Sequence, residues 1–163
     1  MTATDPVLTQ WAQAFAAADR HAATLPPHHP QCVGCGPDNP HGHHIEAWRD
    51  GDVVRARHVF DERHVGAPGT AHGGAVATVL DDLFGFVLYV VGDLAVTRHL
   101  EVGYRAPVRL GVPYLLEARL DRRDGRKLFV SARGTDEDGA LVVEASAVFI
   151  VVEVQHFVRD AAP

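Results

Sequence analysis

The stretch His72-Gly73-Gly74-Ala75-Val76-Ala77-Thr78-Val79-Leu80-Asp81 decides how the rest of the chain is read. Two glycines head an apolar run, and a carboxylate stands inside it. The run continues through Leu83, Phe84, Phe86, Val87 and Leu88. Its apolar residues fall nearly all round a helical projection, which predicts a helix over 74–91 buried on most sides. A helix start carries free backbone N–H groups and a partial positive charge, and glycine there lets a ligand approach the backbone. A carboxylate inside so apolar a helix is costly unless it has work or a partner. Together these residues suggest a site where an oxygen is polarised and a water or proton is handled.

A buried helix needs something wrapped around it, and the flanking sequence supplies strands. Strands are expected at 44–49 and 53–60, joined at Asp50-Gly51, with Val54, Ala56, His58 and Phe60 facing one way. Beyond the helix, strands are expected at 95–105, 113–122, 127–135 and 141–153, the last three separated by Asp124-Gly125 and Asp138-Gly139. Strands, a buried helix, then more antiparallel strands is an α+β order rather than alternating βαβ. Upstream, Asp5-Pro6 caps a helix expected over 5–23, residues 24–43 read as irregular, and residues 61–72, with Gly66, Pro68 and Gly69, read as a loop. The expected organisation is an N-terminal helix and arm over 1–43, one domain over 44–154 and a tail over 155–163.

At 163 residues the chain suits one domain with a sizeable core. A net charge of −6 with no basic excess argues against nucleic acid as a partner. No apolar run reads as long enough to span a membrane, since Gly85 and Gly92-Asp93 break the run from Leu83 to Val91. The start Met-Thr-Ala-Thr-Asp reads as no signal peptide, and with only two cysteines a cytoplasmic location is expected.

The order of elements, with a Gly-Gly-headed helix between the second and third main strands, resembles the hotdog-fold thioesterases. Gly66-Ala67-Pro68-Gly69-Thr70-Ala71-His72-Gly73-Gly74 is similar to the family's G-x-P-G-x-x-H-G-G segment. Tyr104-Arg105-Ala106-Pro107-Val108-Arg109-Leu110-Gly111 resembles its Y-x-x-P-x-x-x-G turn, and Gly125 to Ser131 also fits, nearest the PaaI-like acyl-CoA thioesterases with an aspartate on the helix. The resemblance covers about residues 32–152. It implies a hotdog fold, an acyl-CoA substrate with coenzyme A as part of it rather than a separate cofactor, and self-association as a dimer or dimer of dimers. It places the catalytic carboxylate at Asp81 and a helper at Thr97. Relatives often carry an amide residue where this chain has Val65, and His64 is a candidate stand-in.

The residues suit that chemistry. The Gly73 N–H can polarise a thioester carbonyl, with Gly74 beside it. Asp81 can act as general base toward water or attack directly; the sequence leaves both open. Asp82, about 100° round the helix, is its competitor or a pocket-lining residue. His72 is a candidate acid or base, or a structural residue of the loop. Phe84, Phe86, Leu88 and Tyr89 are candidates for lining an acyl pocket, and Arg98, Arg105, Arg109, Arg126 and Lys127 for holding phosphates. Gly73 and Asp81 lie roughly 12 Å apart along one helix, too far for both to touch one carbonyl. If both act, they come from two subunits, related by a two-fold axis that sets the central helices antiparallel. A hydratase or dehydratase activity and a non-catalytic acyl-CoA binder are the rival readings.

Cys32-Val33-Gly34-Cys35 sits among His28, His29, His41, His43 and His44. Zinc ligation is conceivable there. Cys-x-x-Cys has no second pair at the spacing such sites use, so a turn packed against the pocket, without metal, is expected.

Overall fold

The computed structural model describes residues 5–157. In chain order it contains α1 (Pro6–Ala17), β1 (Ala47–Asp50), β2 (Val53–Val59), the short pair β3 (Val65–Ala67) and β4 (Thr70–Ala71), α2 (Gly73–Val91), β5 (Ala95–Tyr104), β6 (Pro113–Asp124), β7 (Lys127–Thr135) and β8 (Leu141–Val151). Six strands form one antiparallel sheet in the order β1-β2-β6-β7-β8-β5. The fold is therefore α+β, an antiparallel sheet wrapped around α2 with an N-terminal helix beside it.

Alternation along the strands builds the core. Val54, Ala56 and His58 of β2, with Phe60 just beyond it, are all buried, while Arg57 and Val59 are exposed. Leu116 and Ala118 of β6, Leu128 and Val130 of β7, and Ala145, Ala147 and Phe149 of β8 extend the same face. Val76, Val79, Leu80, Leu83 and Val87 of α2 pack into it. Each fully buried large aliphatic or aromatic side chain contributes on the order of 1.5–3 kcal/mol. The helix ends at Gly92, whose φ of 86° only glycine adopts freely.

Four expectations are corrected. The first helix stops at Ala17 rather than running to residue 23: the Asp19 carboxylate accepts from the His21 N–H in a tight turn, and Arg20 reaches back to the Gly92 carbonyl. β1 begins at Ala47 rather than 44, because His44 sits at φ 53° and the His43 and Ile45 amides bond to the arm at Val33 and Gly34. The segment 61–72 holds a 3₁₀ turn and the β3–β4 pair instead of being wholly irregular. Finally, α2 is 19 residues long with mean hydropathy 1.8, enough by length and composition to cross a membrane. Its glycine does not break it; the sheet is what accounts for its apolar character. Of the expected C-terminal tail, Val154–Phe157 form a 3₁₀ turn, and the remainder lies outside the described residues.

Candidate active site

The helix start is built by its cap. The His72 Nδ1 accepts from the Gly74 N–H at 2.9 Å, and the His72 N–H donates to the His64 carbonyl at 2.7 Å. Gly66 is required here, since a Cβ on it would lie 2.6 Å from the His72 Cα. Gly74 therefore spends its amide on the cap, and the Gly73 N–H has no partner among the described residues. The Tyr104 hydroxyl donates to the Gly73 carbonyl, which fixes the end of β5 against this turn. Tyr104 is half exposed beside Gly73 and was read from the sequence only as part of a turn.

Two turns along, the Thr97 Oγ1 donates to Asp81 Oδ1 at 2.9 Å. Burial pushes the Asp81 carboxyl above the usual range, and the Thr97 hydrogen bond partly offsets this. Asp82 takes a different direction. Its Oδ1 meets His28 Nδ1 at 3.1 Å and Cys32 Sγ at 3.1 Å, so it belongs to the arm rather than to Thr97. The two aspartates diverge: Asp81 faces β5, and Asp82 faces residues 28–35.

Between them opens a cavity of about 330 Å³ lined by Asp81, Thr97, Leu88, Tyr89, Trp11 and Phe157, among others. α1 and the C-terminal turn supply walls beyond those expected from α2. Trp11 donates from Nε1 to the His28 carbonyl at 3.0 Å and packs edge-on to Phe157 at 5.3 Å. Phe15 stacks on Tyr89 at 4.7 Å. The apolar stripe of α1 was the available signal. Leu88 and Tyr89 line the cavity as expected, but Phe84 does not: it is 0% exposed and packs against Phe149 in the core, and Phe86 is buried against His28.

Other candidates are scattered. The His64 side chain turns inward and stacks on His43 at 3.8 Å, so it does not present a ring to substrate; Val65 is 47% exposed on the short hairpin. Arg98, Arg126 and Lys127 are exposed, and register places Lys127 and Val96 on either side of Ile150, near the cavity end of β5. Arg105 lies at the far end of β5, paired with Glu144. Arg109 is exposed in the turn that follows.

The thioesterase superfamily model matches residues 68–143, from the loop before α2 through β8's first residues. An acyl-coenzyme A thioesterase, THEM4, of Xenopus laevis is 36% identical to the chain over 87 residues, covering 52% of the chain and 39% of that relative. The chain thus matches about two fifths of the curated relative's length. Among solved structures, a thioesterase superfamily protein superposes with TM-score 0.71 at 27% identity over 74% of this chain and 60% of its own. A hypothetical thioesterase protein of Streptococcus pneumoniae TIGR4, solved with coenzyme A, gives TM-score 0.63 at 20% identity over 66% of this chain and 85% of its own, a likeness of fold. The chain accordingly has the hotdog fold of these structures, with α2 as its central helix.

Proposed function

We propose that the chain hydrolyses an acyl-CoA thioester, with Asp81 as general base and the Gly73 N–H of a second copy as oxyanion donor. The observation that carries this reading is the Thr97–Asp81 pair at the mouth of an apolar cavity. Thr97 occupies Oδ1 and orients the carboxylate, so Oδ2 is the oxygen available to take a proton from water. The attacked carbonyl develops negative charge, which a free helix-start amide stabilises. The thiolate departs without help from an acid, because thiols ionise near pH ~8.5. Asp81 and Thr97 stand 16 positions apart. The same spacing separates the aspartate and threonine replaced by alanine in two crystallised variants of the S. pneumoniae protein.

Helix geometry supports the second copy. Gly73 and Asp81 are roughly 12 Å apart along α2, so one chain cannot bring both to one carbonyl. β5 offers the joining surface: it is a ten-residue edge strand with Thr97, Arg98, His99 and Glu101 exposed, and a long open edge is a template for pairing. Pairing β5 with β5 across a two-fold axis sets the α2 helices antiparallel. The cavity's Leu88, Tyr89 and Trp11 suit an apolar acyl group of modest size.

Asp81→Asn keeps the side chain's shape and its Thr97 contact while removing the base. Thiol release from a panel of acyl-CoA esters should fall by about 10²–10⁴-fold, with the circular dichroism and elution volume unchanged. Undiminished turnover would remove Asp81 from the mechanism, and tight acyl-CoA binding without turnover in the parent chain would favour a binding protein instead.

A further inference from the structure

We propose that His28, Cys32, Cys35 and Asp82 form a structural zinc site that fastens the N-terminal arm to α2 beside the cavity. The four donor atoms all lie within 4.8 Å of one another. Cys35 Sγ is 3.2 Å from His28 Nδ1 and 3.7 Å from Asp82 Oδ1, and Asp82 Oδ1 is 3.1 Å from both Cys32 Sγ and His28 Nδ1. A tetrahedral zinc with bonds of about 2.3 Å to sulfur and 2.0–2.1 Å to nitrogen or oxygen sets its donors roughly 3.3–3.8 Å apart. The side chains need only small adjustments to enclose an ion. Two thiols, an imidazole and a carboxylate are also a zinc-type donor set rather than a calcium or magnesium one.

The backbone is shaped for this convergence. Cys32 and Cys35 sit on one tight turn, closed by the Gly36 N–H donating to the Cys32 carbonyl at 2.9 Å. The His28 N–H donates to Cys35 Sγ at 3.2 Å, an outer contact of the kind that steadies a ligating thiolate. Gly34 lies between the cysteines, and a Cβ on it would fall 2.1 Å from Asp82 Cγ. Gly85 lies one turn beyond Asp82, and a Cβ on it would fall 2.7 Å from the His28 ring. Both glycines are needed because the carboxylate and the imidazole come so close to the opposing chain. Asp82 Oδ2 is buried and has no hydrogen-bond partner among the described residues, so one oxygen of a buried carboxylate is left unsatisfied. The second ligand pair that the cysteine spacing lacked comes from four residues upstream and from the helix. Four protein ligands leave no open coordination position, so the ion's part is to hold the arm, not to activate water.

The test is metal content of tag-free protein, purified without chelator, exposed to zinc and desalted. Mass spectrometry should find one zinc per chain. Asp81→Asn should retain it, while Cys32→Ser/Cys35→Ser and Asp82→Asn should lose most of it. Should those variants fail to fold, cobalt(II) exchanged into the parent chain gives an independent reading: intense visible d–d bands and a near-ultraviolet thiolate-to-metal transition. Substoichiometric metal, metal content indifferent to the cysteines, iron in place of zinc, absence of the thiolate–cobalt bands, or a Cys32–Cys35 disulfide in place of two thiols would each overturn the assignment. None of these readouts depends on thioester hydrolysis.

Discussion

His43 and His64 lie face to face, and His58 meets His43 edge-on at 5.4 Å, all three buried beneath Phe60 and the turn before α2. Burial holds His43 down to about 3 and His58 to about 4, with neighbouring His64 and Arg63 lowering them further and Asp61 opposing. The unfolded chain titrates these rings near 6.5, so between pH ~6.5 and the folded values it binds more protons than the native state. Their contribution to stability is complete above pH ~6.5 and is lost as the pH falls toward 4 and then 3. Each ring should cost up to about 1.4 kcal/mol per pH unit across that window. Denaturant midpoints measured from pH 7 to pH 4 check this; a flat profile, or one unchanged in His58→Gln, would contradict it. These three residues also show where reading residues one at a time stops. The alternation of β2 placed His58 inward, but the chain's reversal at His44 and the 3₁₀ turn at Glu62–His64 bring His43 and His64 beside it, and neither leaves a periodic signature.

α1 behaves as a wall rather than an appendage. Its contacts are Trp11 on Phe157 and on the His28 carbonyl, and Phe15 on Tyr89. Trp11→Ala should open the cavity and raise KM for medium-chain acyl-CoA by roughly tenfold, equivalent to about 1.4 kcal/mol, while kcat for acetyl-CoA changes little. An equal loss for both substrates, read from steady-state kinetics, would mean that α1 supports the fold and not the acyl group. The helix itself was legible because Asp5-Pro6 is a local cap and Leu8, Trp11 and Phe15 repeat at helical spacing. Its early end at Ala17 was not, since it depends on Arg20 reaching Gly92, 72 residues away. β5 to β8 and α2 were read nearly to the residue, because two-residue alternation and Asp-Gly turns are local signals. The arm carries few such signals, and its shape depends on contacts with α2.

For the assembled molecule, a site divided between copies makes a prediction that no single chain can satisfy. Asp81→Asn chains and Gly73→Val chains should each be inactive alone: the first lacks the base, and the second crowds the helix start, where even a Cβ lies 3.3 Å from the Tyr104 hydroxyl. Unfolded together and refolded, they should recover about a quarter of parental activity, because half the dimers are mixed and each mixed dimer has one intact site. No recovery, with mixed dimers verified by mass, would place both groups of a working site in one chain. In the sequence, helical rise is the signal that suggests this division. The sequence could not carry the paired use of Asp81 and Asp82, because residues 28–35 are brought to the helix only by the folded arm. That pairing has a mechanical consequence. Two consecutive carboxylates project about 100° apart, one tethered to Thr97 and the other to the arm. They act as two set screws on one shaft. α2 cannot roll about its own axis in either direction without loosening one tether or straining the other, so the angular phase of the helix, and with it the direction in which Gly73 points its amide, is locked from the middle rather than from the ends.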